Sequence, residues 1–291
     1  MRLTIKFLAL LVLALAFCPV GPNAFGSSSP PETAQGNWQG EESPEKDYKT
    51  DGRPAQSERI ITVVLDPGHG GSQKGAVGVE GFVEKDFTLK MAQALLARLS
   101  QNSRLKVLLT RQGDEDVSLE KRVEMANSQN ADLFVSIHAN SISRPNIGGV
   151  ETFFHALDAS GEEARRVAGY ENSSGSGTAD SGDLLQFILA DIQQTERLNS
   201  SAQLASLLHR RLVKALPWED RGIMQADFIV LRNTRMPSVL LELGFVTNRR
   251  DVKLLRQDES LEKLALAIAE GLEEFCQLLR RKQGLAEKGQ P

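Results

Sequence analysis

Short apolar runs alternate along the chain with segments in which apolar residues recur every three to four positions. The apolar runs have the length of buried strands, and they cover residues 60–65, 105–110, 133–138, 149–154, 228–231 and 238–243. The periodic segments predict amphipathic helices over residues 84–100, 118–129 and 260–281. Strands that alternate with helices form sheets that are mostly parallel and covered by helices on both faces. The pattern therefore predicts an α/β fold.

The helix predicted over residues 118–129 has Ser118 as its N-cap residue and Arg122 on its solvent-exposed side. The spacing of elements is irregular only between the strands at 149–154 and 228–231, because a single crossover helix needs far fewer residues than lie there. This excess contains helical patterns over residues 161–170 and 183–216. A Ser/Gly-rich stretch over residues 172–182 predicts a linker between them.

The first 26 residues have the pattern of a secretory signal peptide. Arg2 and Lys6 give a basic start, the apolar stretch after them is too short for a stable membrane span, and Ala24 and Gly26 are small. The alternative for this segment is an uncleaved anchor. Residues 27–58 are polar and predict a flexible linker. We therefore predict a folded domain over residues 59–282 and a disordered tail over residues 283–291.

The charge balance of the chain argues against a nucleic-acid partner. The formal net charge is -4, and loss of the signal peptide would remove two positive charges and no negative one. Binding to a phosphate backbone requires a basic surface. The sequence therefore predicts a protein exported across the inner membrane, with no nucleic-acid partner and no stable membrane span after cleavage of the signal peptide.

Two histidines follow predicted strands. His69 lies in the glycine-rich loop Asp-Pro-Gly-His-Gly-Gly after the first strand, and His138 ends the third. The carboxyl ends of parallel strands form the edge at which α/β sheets bind ligands, so two imidazoles there suggest a metal site. Glu84, at the start of the first helix, is the candidate for an additional ligand. Its alternative role is to complement the helix dipole.

Glu242 lies inside an apolar strand, where a carboxylate must be paired, near a metal or protonated. Its structural alternative is a salt bridge to Arg111 or Arg232. Asn140 directly follows the His138 strand and is a candidate for orienting that histidine or contacting substrate, and Arg111 is a candidate for the same roles.

Three nitrogen or oxygen ligands with a fourth position open to water are typical of catalytic zinc, which acidifies water and polarises a scissile carbonyl. A nearby carboxylate can then carry the proton from the water to the leaving amine. The spacing of the ligands differs from that of HExxH sites. Neither of the two other histidines is favoured as a ligand: His155 is predicted near the rim of the site, and His209 on a solvated helix face.

Several motifs together resemble the zinc-dependent Amidase_3 type of N-acetylmuramoyl-L-alanine amidase, the bacterial cell-separation amidases. In chain order they are VVLDPGHGG from Val63, EKDF from Glu84, TR from Thr110, SIHAN from Ser136, GVETFF from Gly149, RG from Arg221 and PSVLLELGFVTN from Pro237. The resemblance covers about residues 60–278.

This resemblance implies a mixed sheet of six strands and one zinc ion held by His69, Glu84 and His138, with Glu242 as the catalytic carboxylate. It implies cleavage of the amide between N-acetylmuramic acid and L-alanine of peptidoglycan, in the periplasm or cell envelope, for wall remodelling and daughter-cell separation. The alternatives are a zinc peptidase that cuts within the stem peptide and a non-catalytic wall-binding protein.

Some relatives of this type are kept inactive by a helix over the zinc, which an activator protein at the division site releases. Residues 158–198 occupy the corresponding place in this chain. We hypothesise that they cap the site through Glu162, Glu163 or Glu171. The competing interpretation is a surface excursion that shapes a glycan groove.

Overall fold

The computed structural model describes residues 59–174 and 184–288. The predicted signal peptide and the linker over residues 27–58 lie outside the described residues, as do most of the linker predicted over 172–182 and the last three residues of the tail. The strands are β1 Ile61–Pro67, β2 Leu105–Leu109, β3 Leu133–Asn140, β4 Val150–His155, β5 Asp220–Ala226 and β6 Ser238–Phe245. The helices are α1 Glu84–Leu99, α2 Leu119–Ser128, α3 Glu162–Glu171, α4 Leu184–Ala215, α5 Ile229–Arg232, α6 Arg249–Leu255 and α7 Asp258–Lys288.

The six strands form one mixed sheet in the order β2-β1-β3-β6-β4-β5. The first four of these run parallel to one another, β4 is antiparallel to β6, and β5 is parallel to β4. The chain leaves β1 for β2 on one side and then crosses to β3 on the other. The carboxyl ends of β1 and β3 therefore meet at a topological switch point, where open α/β sheets bind ligands.

Alternating side chains of the strands build one apolar core on each face of the sheet, as expected for strands buried on both sides. Val63 of β1 and Val135 of β3 contribute to the core that α1, α4 and α7 cover. Val64 and Phe134, their neighbours in sequence, point to the opposite core, which α2, α3 and α5 cover. The predicted α/β class with helices on both faces is confirmed. Among the described helices, none has the length and apolarity needed to span a bilayer.

Five of the six predicted strands are confirmed, and the strand predicted over residues 228–231 is wrong. These residues form the short helix α5, whose apolar side chains are buried. The fifth strand lies earlier, at Asp220–Ala226, and most of its residues are only partly buried because it is the edge strand and pairs with β4 alone. A short apolar run does not distinguish a strand from a buried helical turn, whereas a polar edge strand lacks the usual apolar signal.

The predicted helices are confirmed, and Ser118 caps α2 by accepting a hydrogen bond from the backbone N–H of Lys121. The last helix, α7, extends to Lys288, so residues 283–288 of the tail predicted to be disordered are helical. Two polar side chains were placed wrongly on solvated surfaces. Arg122 is 1% exposed because it pairs with buried Asp66. His209 is 5% exposed, since its ring lies between Thr152 of β4 and Asp220 of β5.

Candidate active site

The loop after β1 carries His69 over the end of β3. The His69 backbone has a φ of 58°, in the left-handed region that costs a non-glycine residue free energy. At Gly68, a Cβ would lie 2.3 Å from the His138 ring, so only glycine lets the loop approach that side chain. The loop therefore presents His69 beside His138, with ring centroids 4.9 Å apart.

Glu84, the first residue of α1, is fully buried and points its carboxylate at the same place. Its Oε2 accepts a hydrogen bond from the backbone N–H of Ala76 at 2.8 Å, and its Oε1 accepts one from Ala139 at 3.1 Å. These donors orient the carboxylate between the two histidine rings.

Glu171, the last residue of α3, completes a group of four donors. The His69 Nε2 atom lies 3.2 Å from Glu84 Oε2 and 3.2 Å from Glu171 Oε2. The His138 Nδ1 atom lies 3.1 Å from Glu84 Oε1 and 3.0 Å from Glu171 Oε2. One donor atom from each of the four residues lies within 4.8 Å of the others. The structure thus brings together the three predicted ligands and adds a fourth.

This group fits a divalent metal ion. Zinc bonds of about 2.0–2.1 Å place tetrahedral ligand atoms roughly 3.3 Å apart, close to the separations found here. The buried Nε2 atom of His69 has no hydrogen-bond partner, although two carboxylates lie close to it, which is expected for a lone pair directed at a metal. Two neutral imidazoles and two carboxylates also balance the charge of a dication.

The carboxylates of Glu84 and Glu171 favour the protonated, positively charged form of both histidines. Burial alone lowers the pKa of His69, but Glu84 and Glu171 outweigh it and raise this pKa to about 10. For His138, burial is likewise outweighed, chiefly by Glu171, and the pKa rises to about 9. A metal ion held by these donors would displace those protons, because metal ligands bind in their deprotonated forms.

Glu242 lies beside the four donors, paired in register with His138 of the neighbouring strand. Its two carboxylate oxygens are buried without a hydrogen-bond partner. Burial, followed by the charges of Glu171 and Glu84, raises its pKa well above the ordinary value. The alternative of a salt bridge is wrong, because Arg232 pairs with Asp227 and Arg111 donates to backbone carbonyls. Glu242 is therefore free to exchange a proton with a group in the site.

Comparison with known proteins agrees with this geometry. The family model of N-acetylmuramoyl-L-alanine amidase, Amidase_3, matches residues 63–274. The chain belongs to this family. The amidase AmiA of Escherichia coli is 37% identical over 215 residues, which cover 72% of this chain and 74% of AmiA.

Solved structures agree as well. The catalytic domain of the amidase CwlV from Bacillus (Paenibacillus) polymyxa is 30% identical, with a TM-score of 0.59 over 75% of this chain and 99% of that one. The amidase AmiC2 of Nostoc punctiforme is 32% identical, with a TM-score of 0.58 over 75% of this chain and 98% of its own. The chain is thus an enzyme that hydrolyses an amide of peptidoglycan.

A further buried carboxylate of the amidase, Glu151 on β4, was not among the predicted site residues. Glu151 faces Glu242 across the antiparallel pair of β4 and β6. It accepts hydrogen bonds from Asn140 Nδ2 at 2.7 Å and from Arg221 Nε at 2.8 Å. A carboxylate inside an apolar strand is the same signal that singled out Glu242, and it could have identified Glu151. The candidate Asn140 orients Glu151 rather than a histidine.

Two buried arginines hold the His69 loop of the amidase from below. Arg111 donates to the carbonyl oxygens of Pro67 and Gly68 at 3.0 and 2.9 Å. Arg122 donates to the carbonyl oxygens of Pro67 and His69, each at 2.7 Å, and to Asp66. Arg111 is 2% exposed, which places it under the loop rather than on a substrate surface.

Replacing Asp66 with asparagine is expected to destabilise the amidase by about 3–5 kcal/mol, because it leaves Arg122 as a buried charge without its partner. Burial raises the pKa of Asp66, but the Arg122 charge and hydrogen bonds from Thr110 and Ser136 lower it overall. A lowered folded-state pKa contributes stability above the unfolded value, and this contribution is lost as the pH falls through the folded value. Urea unfolding should therefore show a difference between wild type and variant at pH 7 that shrinks below about pH 4. A constant difference would contradict this account.

The three acidic candidates on α3 have different surroundings. Glu162 has an 87% exposed side chain that pairs with Arg165. Glu163 contacts Arg221 at 2.8 Å. Only Glu171, at the end of the helix, reaches the two histidines. Glu171 shares the buried face of α3 with Ala164, Val167 and Ala168, and this spacing of seven, four and three residues is a sequence signal that could have distinguished it from Glu162 and Glu163.

The two other histidines lie away from the four donors. His155 is 3% exposed, with its Nδ1 atom 3.6 Å from Asp227. Burial, the largest effect on it, lowers the pKa of His155. His209 connects α4 to β4 and β5 by hydrogen bonds. His209 thus has two hydrogen-bond partners, whereas the buried Nδ1 atom of His155 has none and lies only within ion-pair distance of Asp227.

Proposed function

We propose that this amidase cleaves the bond between N-acetylmuramic acid and L-alanine with one zinc ion held by His69, Glu84 and His138. The observation that carries the proposal is the convergence of four donor atoms at the switch point of the sheet. His and carboxylate donors favour zinc among the divalent ions available to such a site, although other metals share them. The cleavage of this particular amide follows from membership of the family.

Glu242 is proposed as the general base and general acid. When bound, zinc would polarise the scissile carbonyl and acidify a water molecule at its open position. Glu242 would accept a proton from the attacking water and deliver it to the leaving nitrogen of L-alanine. Its position beside His138, with no partner of its own, supports this role. Asn140 and Arg111 are proposed as positioning residues, through Glu151 and through the His69 loop.

We further propose that α3 caps the site and that Glu171 occupies the position that water and substrate need. The contacts of Glu171 with both histidines support this role, and its side chain is 7% exposed. Ala164, Val167 and Ala168 of the same helix are buried in the domain core, so the cap is a packed element in this conformation. An excursion that only shaped a groove would leave the four-donor position open to solvent.

A capped site needs a means of opening. We propose an activator protein that displaces α3, as the resemblance to cell-separation amidases implies. The same resemblance, with the signal-like segment at residues 1–26, supports a periplasmic or envelope location and a role in separating daughter cells. Peptidoglycan is the proposed substrate in that compartment.

The zinc proposal predicts one zinc ion per chain, with affinity that His69→Ala lowers by more than about 100-fold. Mutation of residues that only hydrogen-bond to metal ligands lowers metal affinity by up to about 100-fold, so removal of a ligand itself should lower it further. The affinity is measured by competition with a chromogenic chelator. His155→Ala is the matched control, because it also removes a buried imidazole but lies elsewhere, and it should keep the zinc. Equal zinc affinity in both variants would contradict the proposed ligand set.

The bond cleaved is tested by digesting isolated peptidoglycan with Glu171→Gln, in which the proposed cap is weakened. Mass spectrometry should find intact stem peptides with new L-alanine amino termini. Peptides cut internally would instead indicate a zinc peptidase. Absence of any cleavage by a zinc-loaded, folded variant would contradict the proposed function.

A further inference from the structure

One arginine connects the cap helix to the carboxylates beside the metal-binding residues. The Arg221 side chain donates from Nε to Glu151 Oε1 at 2.8 Å and from Nη2 to Glu163 Oε1 at 2.8 Å. Glu151 belongs to the sheet and Glu163 belongs to α3. The guanidinium also lies over the Phe245 ring, 5.2 Å from its centroid, and the side chain is 15% exposed. Arg221 is thus held in place by the sheet and shared with the cap.

Arg221 lies one strand beyond the row formed by His138, Glu242 and Glu151 on three neighbouring strands. His138 on β3 faces Glu242 on β6, and Glu242 faces Glu151 on β4. Arg221 is on β5, the next strand. Neighbouring strands are about 4.8 Å apart, so the backbone of β5 is roughly 10 Å from that of β6. The Arg221 side chain reaches back toward β4 and shortens this distance.

The cap helix α3 contacts the histidines and Arg221 through two different carboxylates. Glu171 lies against the two histidines, and Glu163, eight residues earlier, lies against Arg221. Arginine stays charged and its planar fork matches a carboxylate, so Arg221 would be left with a free donor if α3 moved away. Phe245 and Glu151 would keep its side chain in place. The vacated position suits a carboxylate of the substrate.

The stem peptide offers such a group close to the bond that is cut. The second peptide residue bears a carboxylate unless it is amidated, and it lies two residues from the scissile amide. Two extended residues span at most about 7 Å. A carboxylate at that separation from the scissile amide is on the scale of the two strand spacings between Glu242 and Arg221, which the Arg221 side chain shortens by reaching back to Glu151.

We propose that Arg221 binds the carboxylate of the second residue of the stem peptide, and that Glu163 occupies this place while α3 covers the site. The inference rests on the proposed function, because it assumes peptidoglycan as substrate and α3 as a cap. It adds a specificity: the enzyme distinguishes stem peptides with a free carboxylate from those with a carboxamide at this position.

The proposed role of Glu163 in the closed state is tested by substituting two neighbouring glutamates in turn. Glu163→Gln should raise the rate of L-alanine release from isolated peptidoglycan by about 3- to 10-fold, because a partly exposed ion pair that favours the closed state is weakened. Glu162→Gln, which removes an exposed carboxylate from the same turn of α3, should leave the rate unchanged. Equal rates for Glu163→Gln and wild type would overturn the assignment of Glu163.

The recognition half is tested by binding rather than turnover. The probes are two disaccharide peptides that differ only in a carboxylate or a carboxamide on the second peptide residue. Calorimetry uses the zinc-loaded chain with Glu171→Gln, to weaken the cap, and Glu242→Gln, to prevent cleavage. We expect the carboxylate probe to bind about 10-fold or more tightly, since a charge-assisted hydrogen bond is gained.

Adding Arg221→Gln should bring the ratio of the two affinities to about one, and Arg221→Lys should give an intermediate ratio. The control Arg232→Gln, which removes a guanidinium paired with Asp227, should keep the preference. Thermal unfolding and zinc content show which variants remain folded, and Arg221→Lys serves if Arg221→Gln does not fold.

Equal affinity for both probes with Arg221 intact, a preference that survives Arg221→Gln, or no binding of either probe would overturn the proposal. These outcomes are separate from failure of the proposed function, which appears as absence of amide cleavage by Glu171→Gln. A carboxylate preference that depends on Arg221, together with amide cleavage by Glu171→Gln, supports the inference.

Discussion

Replacing Glu171 with glutamine is expected to raise the rate of peptidoglycan hydrolysis by the full chain by about 10- to 100-fold. The carboxylate of Glu171 faces both histidines at 3.0–3.2 Å, where it would compete with water and substrate for the metal. A neutral amide of the same size keeps the packing of α3 but loses the charge. A difference of about 1.4–2.8 kcal/mol between closed and open states corresponds to this change in rate.

The rate is measured as new L-alanine amino termini released per minute from isolated peptidoglycan. Glu162→Gln is the matched control, because its carboxylate is on the same helix and is exposed. An unchanged or lower rate in a folded, zinc-loaded Glu171→Gln chain would contradict the cap. It would favour a segment that only shapes the substrate groove.

Replacing Glu242 with glutamine is expected to lower the rate by about 10²- to 10⁴-fold, the range over which a general acid or base acts. The change is best made in the Glu171→Gln chain, where the starting rate is high. Zinc content should be unchanged, because Glu242 is not among the four converging donors. Folding stability should be equal or higher, since burial and neighbouring carboxylates already raise the Glu242 pKa.

The raised pKa of Glu242 also links the position of α3 to proton transfer by Glu242. Glu242 can accept a proton only as a carboxylate, and Glu171 is one of the charges that favour its protonated form. Movement of α3 would admit water and remove that charge, and both changes lower the pKa of Glu242. A Glu242→Gln variant that keeps more than about one tenth of the Glu171→Gln rate would contradict the role of Glu242 as base.

The proximity of His69, His138 and Glu242 could be predicted from the sequence because their signals are local, whereas the roles of these residues come from the family resemblance and stay proposals. His69 follows a strand in a glycine loop, His138 ends a strand, and Glu242 interrupts an apolar one. Each pattern places a polar group at the carboxyl edge of the sheet or inside it. The fold class followed in the same way from strands alternating with helices.

The rest depends on contacts between residues far apart in the chain. Arg122 is buried by Asp66, 56 positions earlier, and His209 by Thr152, 57 positions earlier, so neither position has a local signal of burial. β5 is a polar edge strand and lacks the apolar run by which the other strands were found. The proximity of Glu171 to the histidines depends likewise on which end of α3 lies over them.

The position of Glu171 in the zinc-loaded protein tests the central claim most directly. A crystal structure of the zinc-loaded chain should place one carboxylate oxygen of Glu171 about 2.0–2.2 Å from the metal, beside His69, Glu84 and His138. A zinc ion held by those three residues and water, with α3 turned away from the site, would contradict the account.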